Sequence, residues 1–303
     1  MSEKEEIIKE IYKLKKEKNA IILVHNYQIL EVQKIADFIG DSLQLAREAS
    51  KVQADIILFC GVRFMAETAK LLNPDAKVLL SAKEAGCPMA DMINRNQLIE
   101  FKAKYPNSVV VCYVNSSVEV KAESDICCTS SNAIKIVNSI PADKTVLFVP
   151  DQNLGSYAAK KTKRNVVVWK GYCYTHHLKI SIEDVKKIRQ KYPDYSLLVH
   201  PECSPEVVAK ADFVASTKGM VDFAKEHNNM IIGTELGLYE QLKDKYPNKN
   251  IVSLSAKAIC NDMKKTTLKT ILATLEKEYN EIIIEKEIAI KAVRSINNML
   301  RLS

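Results

Sequence analysis

The sequence predicts an α/β fold of three repeats, related by a pseudo-threefold axis, with parallel sheets arranged around one central site. Three observations carry this expectation. Short continuous apolar runs alternate with stretches of helical apolar spacing, the pattern of parallel sheets covered on both faces. That pattern recurs along the 303 residues with a spacing of 86 to 88. A cysteine also follows the fourth apolar run of every repeat.

The first strand of each repeat ends in polar groups: AIILVHNYQ at 20–28, VVVCYVNSS at 109–117 and LLVHPECS at 197–204. His25, Tyr113 and His200 align as the first polar residue, 88 and 87 residues apart. The next segments align on Asp37, Asp125 and Asp212, again 88 and 87 apart. Five residues beyond each Asp stands a hydroxyl, Ser42, Ser130 or Thr217, opening a stretch of helical spacing. A third strand follows at 55–61, 145–150 and 229–235, then a helical run. Fourth strands at 77–82, 165–169 and 250–255 lead to Cys87, Cys173 and Cys260. The expected units are 1–87, 88–173 and 174–265, the first completed by C-terminal helices over 266–303. In that tail, Ile283, Ile284, Ile288 and Ile290 supply the apolar spacing expected to pack on the first unit.

Composition narrows the class. Hydrophobic residues make up 47% and charged residues 27%, as in ordinary globular proteins. No apolar stretch reaches membrane-spanning length, and the N-terminus MSEKEEIIKE lacks the apolar core of a signal peptide. A cytoplasmic protein without membrane attachment is therefore expected. The net charge of +7 suits anionic metabolites. Nucleic-acid binding is not expected, because no recognition motif appears and lysines such as Lys186, Lys187 and Lys191 fall on polar helix faces. With eight glycines, the chain shows neither a G-x-G-x-x-G fingerprint nor a phosphate-binding P-loop.

The repeat also sorts the eight cysteines. In a reducing compartment disulfides explain them poorly. Cys60, Cys112 and Cys127 sit in or beside strands, where a thiol packs as a small hydrophobe. Cys87, Cys173 and Cys260 occupy equivalent places, which points to a metal. Three thiolates suit a [4Fe–4S] cluster that leaves one iron open. Zinc held by three cysteines and His176 is the competing reading, although paired zinc knuckles are absent. An open iron is a Lewis acid suited to dehydration or condensation.

The strand ends supply His25 with Tyr27, Tyr113 with Asn115, and His200 with Glu202. Added to Ser42, Ser130 and Thr217, they form a ninefold polar lining. Helix starts bind anionic groups well, so several converging starts suit a substrate with more than one anionic group. Glu202 is the one carboxylate of the nine and the candidate general base; Tyr27 can share proton transfer. Glu235, in the segment GTELG, belongs either to the site or to a turn.

At this point the residues resemble the quinolinate synthase family. The likeness runs through HNYQ at 25–28, GDSLQLAR at 40–47, FMAETAK at 64–70 and Cys87-Pro88-Met89. It continues through YVNSS at 113–117, GYCYTHH at 171–177, VHPEC at 199–203, STKGM at 216–220, GTELGL at 233–238, and Cys260 with Met263. The resemblance implies a triangular fold with a [4Fe–4S] cluster on Cys87, Cys173 and Cys260. It implies condensation of iminoaspartate with dihydroxyacetone phosphate to quinolinate, phosphate and water in de novo NAD biosynthesis. It further implies substrate contacts from His25, Ser42, Tyr113, Val114, Asn115, Ser130, His200, Pro201, Glu202 and Thr217, with Tyr27 and Glu202 moving protons. A functional link to the enzyme that supplies the unstable imine follows as well. Two departures stand out. Asn261-Asp262-Met263 follows Cys260 where some relatives carry further cysteines, which speaks against a local disulfide switch, and Thr175 replaces a commoner Val. The alternatives are a non-catalytic iron–sulfur redox sensor and a zinc hydrolase.

Overall fold

The computed structural model of the chain describes residues 2–303. Three four-stranded parallel sheets form, one per repeat. The first contains β1 (Ala20–His25), β2 (Phe38–Gly40), β3 (Ile56–Cys60) and β4 (Lys77–Leu80) in the order β2-β1-β3-β4. The second contains β5 (Ser108–Tyr113), β6 (Ile126–Cys128), β7 (Thr145–Val149) and β8 (Val166–Val168) in the order β6-β5-β7-β8. The third contains β9 (Ser196–Val199), β10 (Phe213–Val214), β11 (Asn229–Gly233) and β12 (Asn250–Ser253) in the order β10-β9-β11-β12. Each chain path starts inside its sheet, steps to one edge, then crosses to the other side. Such a reversal opens a crevice beyond the carboxyl ends of the first and third strands. The central strands are apolar throughout: Ile56 to Cys60 are all buried, as are Val146 to Val149.

The repeated aspartates are architectural. Asp37 Oδ2 accepts the Ile22 backbone N–H at 2.8 Å, Asp125 Oδ2 that of Val110 at 2.7 Å, and Asp212 Oδ2 that of Leu197 at 2.7 Å. Their own N–H groups donate back to the carbonyls of Ile22, Val110 and Leu197. Each Asp thus clamps the short second strand onto the first and sets its register. Losing one such carboxyl removes a charge-assisted bond worth about 1–2 kcal/mol. Asp125→Ala is accordingly expected to lower the unfolding free energy from urea titration by that amount, with substrate affinity unchanged; an unshifted unfolding curve would contradict the clamp.

The tail divides between two repeats. The helix Leu268–Lys277 packs on the N-terminal helix Glu3–Glu17 and on β3. Residues 280–282 then run along β4, with Leu80 N–H donating to Asn280 O and Ile282 N–H to Val78 O. The last helix, Lys286–Leu302, lies mainly on the second repeat, against the helix Val118–Ala122 and β6, and also touches the helix Arg63–Leu72 of the first. Its buried stripe is Ala292, Ser295, Ile296 and Met299, with Ser295 Oγ donating to Lys121 O at 2.9 Å. Ile283 and Ile290, two of the isoleucines expected to face the core, are exposed. The helix starts only at Lys286, so the stripe falls on a different phase from the one the isoleucines suggest. Among the described residues no helix is long and apolar enough to cross a membrane.

Candidate active site

The carboxyl ends of the three sheets open onto one cavity. Its lining includes His25, Tyr27, Ser42, Tyr113, Asn115, Ser130, His200, Glu202 and Thr217 together with Cys87, Cys173 and Cys260. All nine polar residues and all three cysteines marked by the repeat therefore meet. Val114 and Pro201 do not line the cavity. They sit between lining neighbours, in the bend after β5 and the turn after β9. Val114 faces a small neighbouring crevice with Ser42, Phe64 and Met65.

The helix starts converge from different repeats. Ser131 Oγ donates to Asp41 Oδ2 and lies 2.8 Å from Ser216 Oγ, while Asn26 Nδ2 donates to Thr217 Oγ1 at 2.9 Å. Here the structure refines the expected caps. Asp41 and Ser216 cap the helices Ser42–Ala49 and Thr217–Glu226, so Ser42 and Thr217 are first-turn residues. Ser130 lies in a turn three residues ahead of the helix Ala133–Ser139.

The two strand-end histidines are built alike. His25 Nδ1 accepts the Tyr27 N–H at 3.2 Å, and His200 Nδ1 accepts the Glu202 N–H at 3.4 Å. An accepting Nδ1 assigns the proton to Nε2. His200 Nε2 then donates to Ser130 Oγ at 3.1 Å, leaving the hydroxyl proton for a ligand. Burial pushes both imidazoles down to about 3, so they are neutral at physiological pH.

Glu202 is the electrostatic centre. Burial pushes its carboxyl up, but His200 and His176 beside it, with hydrogen bonds from His176 and Tyr113, outweigh burial and hold it at about 2. Tyr113 Oη donates to Oε1 at 2.5 Å, and His176 Nδ1 stands 2.7 Å from Oε2. On its other side, His176 Nε2 lies 2.8 Å from Thr234 Oγ1, which lies 2.6 Å from Tyr27 Oη. A continuous chain thus runs Tyr27–Thr234–His176–Glu202–Tyr113 across all three repeats. Burial, then the charge of Glu202, pushes both phenols well above their ordinary range. Asp151 is likewise pushed well above the carboxylate range by burial and by Glu202. Asn115, part of the lining, has a buried Oδ1 acceptor without a partner.

His176, Thr234 and Asp151 are absent from the residues the repeat singles out as substrate or proton groups. His176 is visible in sequence only as a zinc candidate. The other two lie at or beyond the ends of third strands, which the alignment treats as scaffold.

The cysteines fall into two sets. Cys60, Cys112 and Cys127 are fully buried in strands, as expected of packing thiols. Cys87, Cys173 and Cys260 are half-buried in the loops after the fourth strands. Burial raises all three thiols; Cys173 also feels Cys87 and Cys260, and Cys87 feels Cys260. Cys173, His176 and Glu202 also offer ligand atoms within 4.8 Å of one another. This region is compatible with a metal site. The nitrogens of His176 and the oxygens of Glu202 are already hydrogen-bonded within the chain described above. The three thiols line the same cavity, Cys173 Sγ 3.2 Å from His176 Nδ1 and Cys260 Sγ 3.8 Å from Tyr174 Oη, and a soft all-sulfur set fits an iron–sulfur group.

The family model described as "Quinolinate synthetase A protein" matches residues 9–301. The chain belongs to this family. It is 55% identical over 299 residues to the quinolinate synthase of Alkaliphilus metalliredigens, covering 98% of each chain. The quinolinate synthases of Dehalococcoides mccartyi and Pyrococcus abyssi are each 50% identical over 300 residues, 98% of this chain and 99% and 100% of theirs. The quinolinate synthases are enzymes, and so is this chain; a non-catalytic sensor no longer fits.

Proposed function

We propose that this enzyme condenses iminoaspartate with dihydroxyacetone phosphate to give quinolinate, phosphate and water, as a cytoplasmic step of NAD biosynthesis. Cys87, Cys173 and Cys260 would hold a [4Fe–4S] cluster with one iron free of protein ligands. The observation that carries this reading is the meeting of three repeat-equivalent cysteines with the Glu202 chain in one cavity. When bound, the cluster supplies Lewis acidity suited to dehydration.

The chain's own residues bind and move protons. The lining contains no Lys or Arg among the described residues, so anionic groups must be held by neutral donors. Ser42 and Thr217 start helices whose N-termini carry partial positive charge, and Ser130 offers its hydroxyl proton. His25 and His200, neutral and with Nε2–H fixed, donate without adding charge. Glu202, ionised, accepts a proton released from carbon or nitrogen. Tyr27 retains its phenolic proton and can return one through Thr234 and His176. Asn115 Oδ1 suits the N–H of the imine.

Anaerobic incubation of the brown, iron-loaded protein with both substrates should yield quinolinate by chromatography. Iron-loaded protein that consumes neither substrate would refute the assignment. The 4.8 Å grouping of Cys173, His176 and Glu202 favours one second reading, a single zinc ion there. Metal analysis separates the two: about four irons per chain against one zinc.

A further inference from the structure

The third strand of every repeat leads into a helix whose N-cap is Val62, Asp151 or Glu235. The residue after each cap does the same thing in all three repeats. Arg63 N–H donates to Ala85 O at 2.9 Å, Gln152 N–H to Gly171 O at 2.8 Å, and Leu236 N–H to Ala258 O at 2.8 Å. Each accepting carbonyl lies two residues before Cys87, Cys173 or Cys260. One backbone bond therefore anchors every cysteine loop to the helix start behind it.

Two of the caps add a second tie. Asp151 Oδ1 accepts the Leu154 N–H of its own helix at 2.6 Å, and its Oδ2 accepts the Cys173 N–H at 3.2 Å. Glu235 Oε2 accepts the Gly237 N–H at 2.7 Å, and its Oε1 accepts the Cys260 N–H at 3.0 Å. Both side chains are fully buried, and Lys264 Nζ stands 2.9 Å from Glu235 Oε1. The fit is close. A Cβ on Gly237 would meet Glu235 Oε2 at 2.9 Å, and one on Gly171 would meet Pro150 O at 2.5 Å. Capping alone does not explain a buried carboxyl, since serine caps a helix as well without that desolvation cost. A carboxyl has two oxygens that accept from two N–H groups at once, and here they join helix to cysteine. Val62 offers Cys87 no such bond.

We infer that Asp151 and Glu235 are positioning residues that fix Cys173 and Cys260 for the cluster, whereas Cys87 has no carboxyl tie. This inference rests on the cluster reading given above. Groups that orient metal ligands from behind typically contribute 10- to 100-fold to metal retention. The test compares anaerobically purified wild type with Asp151→Ser and Glu235→Gln. Serine keeps the helix cap but cannot reach Cys173, which separates a capping role from a positioning one. Expected are folded variants with melting temperatures a few degrees below wild type, iron release to a ferrous chelator about tenfold faster, and an altered electron paramagnetic resonance signal of the reduced cluster. Unchanged release and spectrum in both variants overturn the inference while leaving the enzyme assignment intact. Wild type without iron overturns both. If Asp151→Ser does not fold, Asp151→Asn, which preserves volume and cap, takes its place, and wild-type release from it is equally decisive against.

Discussion

Cys173→Ala, purified without oxygen, is expected to be colourless, to hold almost no iron and to make no quinolinate, while Cys112→Ala stays brown and active. The contrast follows from where the two thiols sit. Cys112 is wholly enclosed in β5 beside Cys127 of β6, and its loss opens a small apolar void. Cys173 is half-buried at the cavity with the other two repeat-matched thiols. On the proposed three-cysteine ligation no thiol stands in reserve, so removing one leaves two sulfurs for a group that needs three. His176 cannot substitute readily, because its Nδ1 already faces Glu202 and its Nε2 faces Thr234. Iron and sulfide analysis with the visible spectrum checks the outcome. Full iron loading in Cys173→Ala would end the three-cysteine assignment.

The sequence made much of this legible because the repeat is internal. Aligning the chain on itself brings out Cys87, Cys173 and Cys260 against five other thiols, and the structure gathers those three at one cavity. The same alignment exposes Asp37, Asp125 and Asp212, whose clamp is a bond within each repeat and therefore recurs three times. Contacts between repeats are another matter. Thr234 matters because Tyr27 from the first repeat and His176 reach it, and nothing near Thr234 in sequence announces either partner. Asp151 and Glu235 did leave a trace, as carboxyls at the same offset behind third strands, but Val62 breaks the threefold pattern and hides it. The final helix packs mainly on the second repeat and also on the first, a division that apolar spacing does not reveal. Apolar spacing shows that a face is buried without showing which sheet buries it, and Ile290 is exposed although it fits the count.

Glu202→Gln should separate proton transfer from cluster binding. The amide keeps the volume, and its oxygen can still accept from Tyr113 Oη, now 2.5 Å from Oε1. What disappears is the negative charge facing His176 Nδ1, at 2.7 Å, and with it the acceptor for a substrate proton. An amide nitrogen at that place forces the imidazole to accept through Nδ1, so its proton moves to Nε2. The chain through Thr234 to Tyr27 then runs in the opposite sense. Turnover is expected to fall by about 100-fold or more, the usual effect of losing an acid–base group. Iron content should stay near the wild-type level, because Glu202 itself bonds none of the three thiols. Tyr27→Phe should cost less, about tenfold, since Thr234 Oγ1 still reaches His176 at 2.8 Å when the phenol is gone. Steady-state rates with parallel iron analysis measure both. Were Glu202→Gln to turn over within twofold of wild type, the carboxylate would be a binding group only, and the proton acceptor would have to be sought among the substrate's own carboxylates.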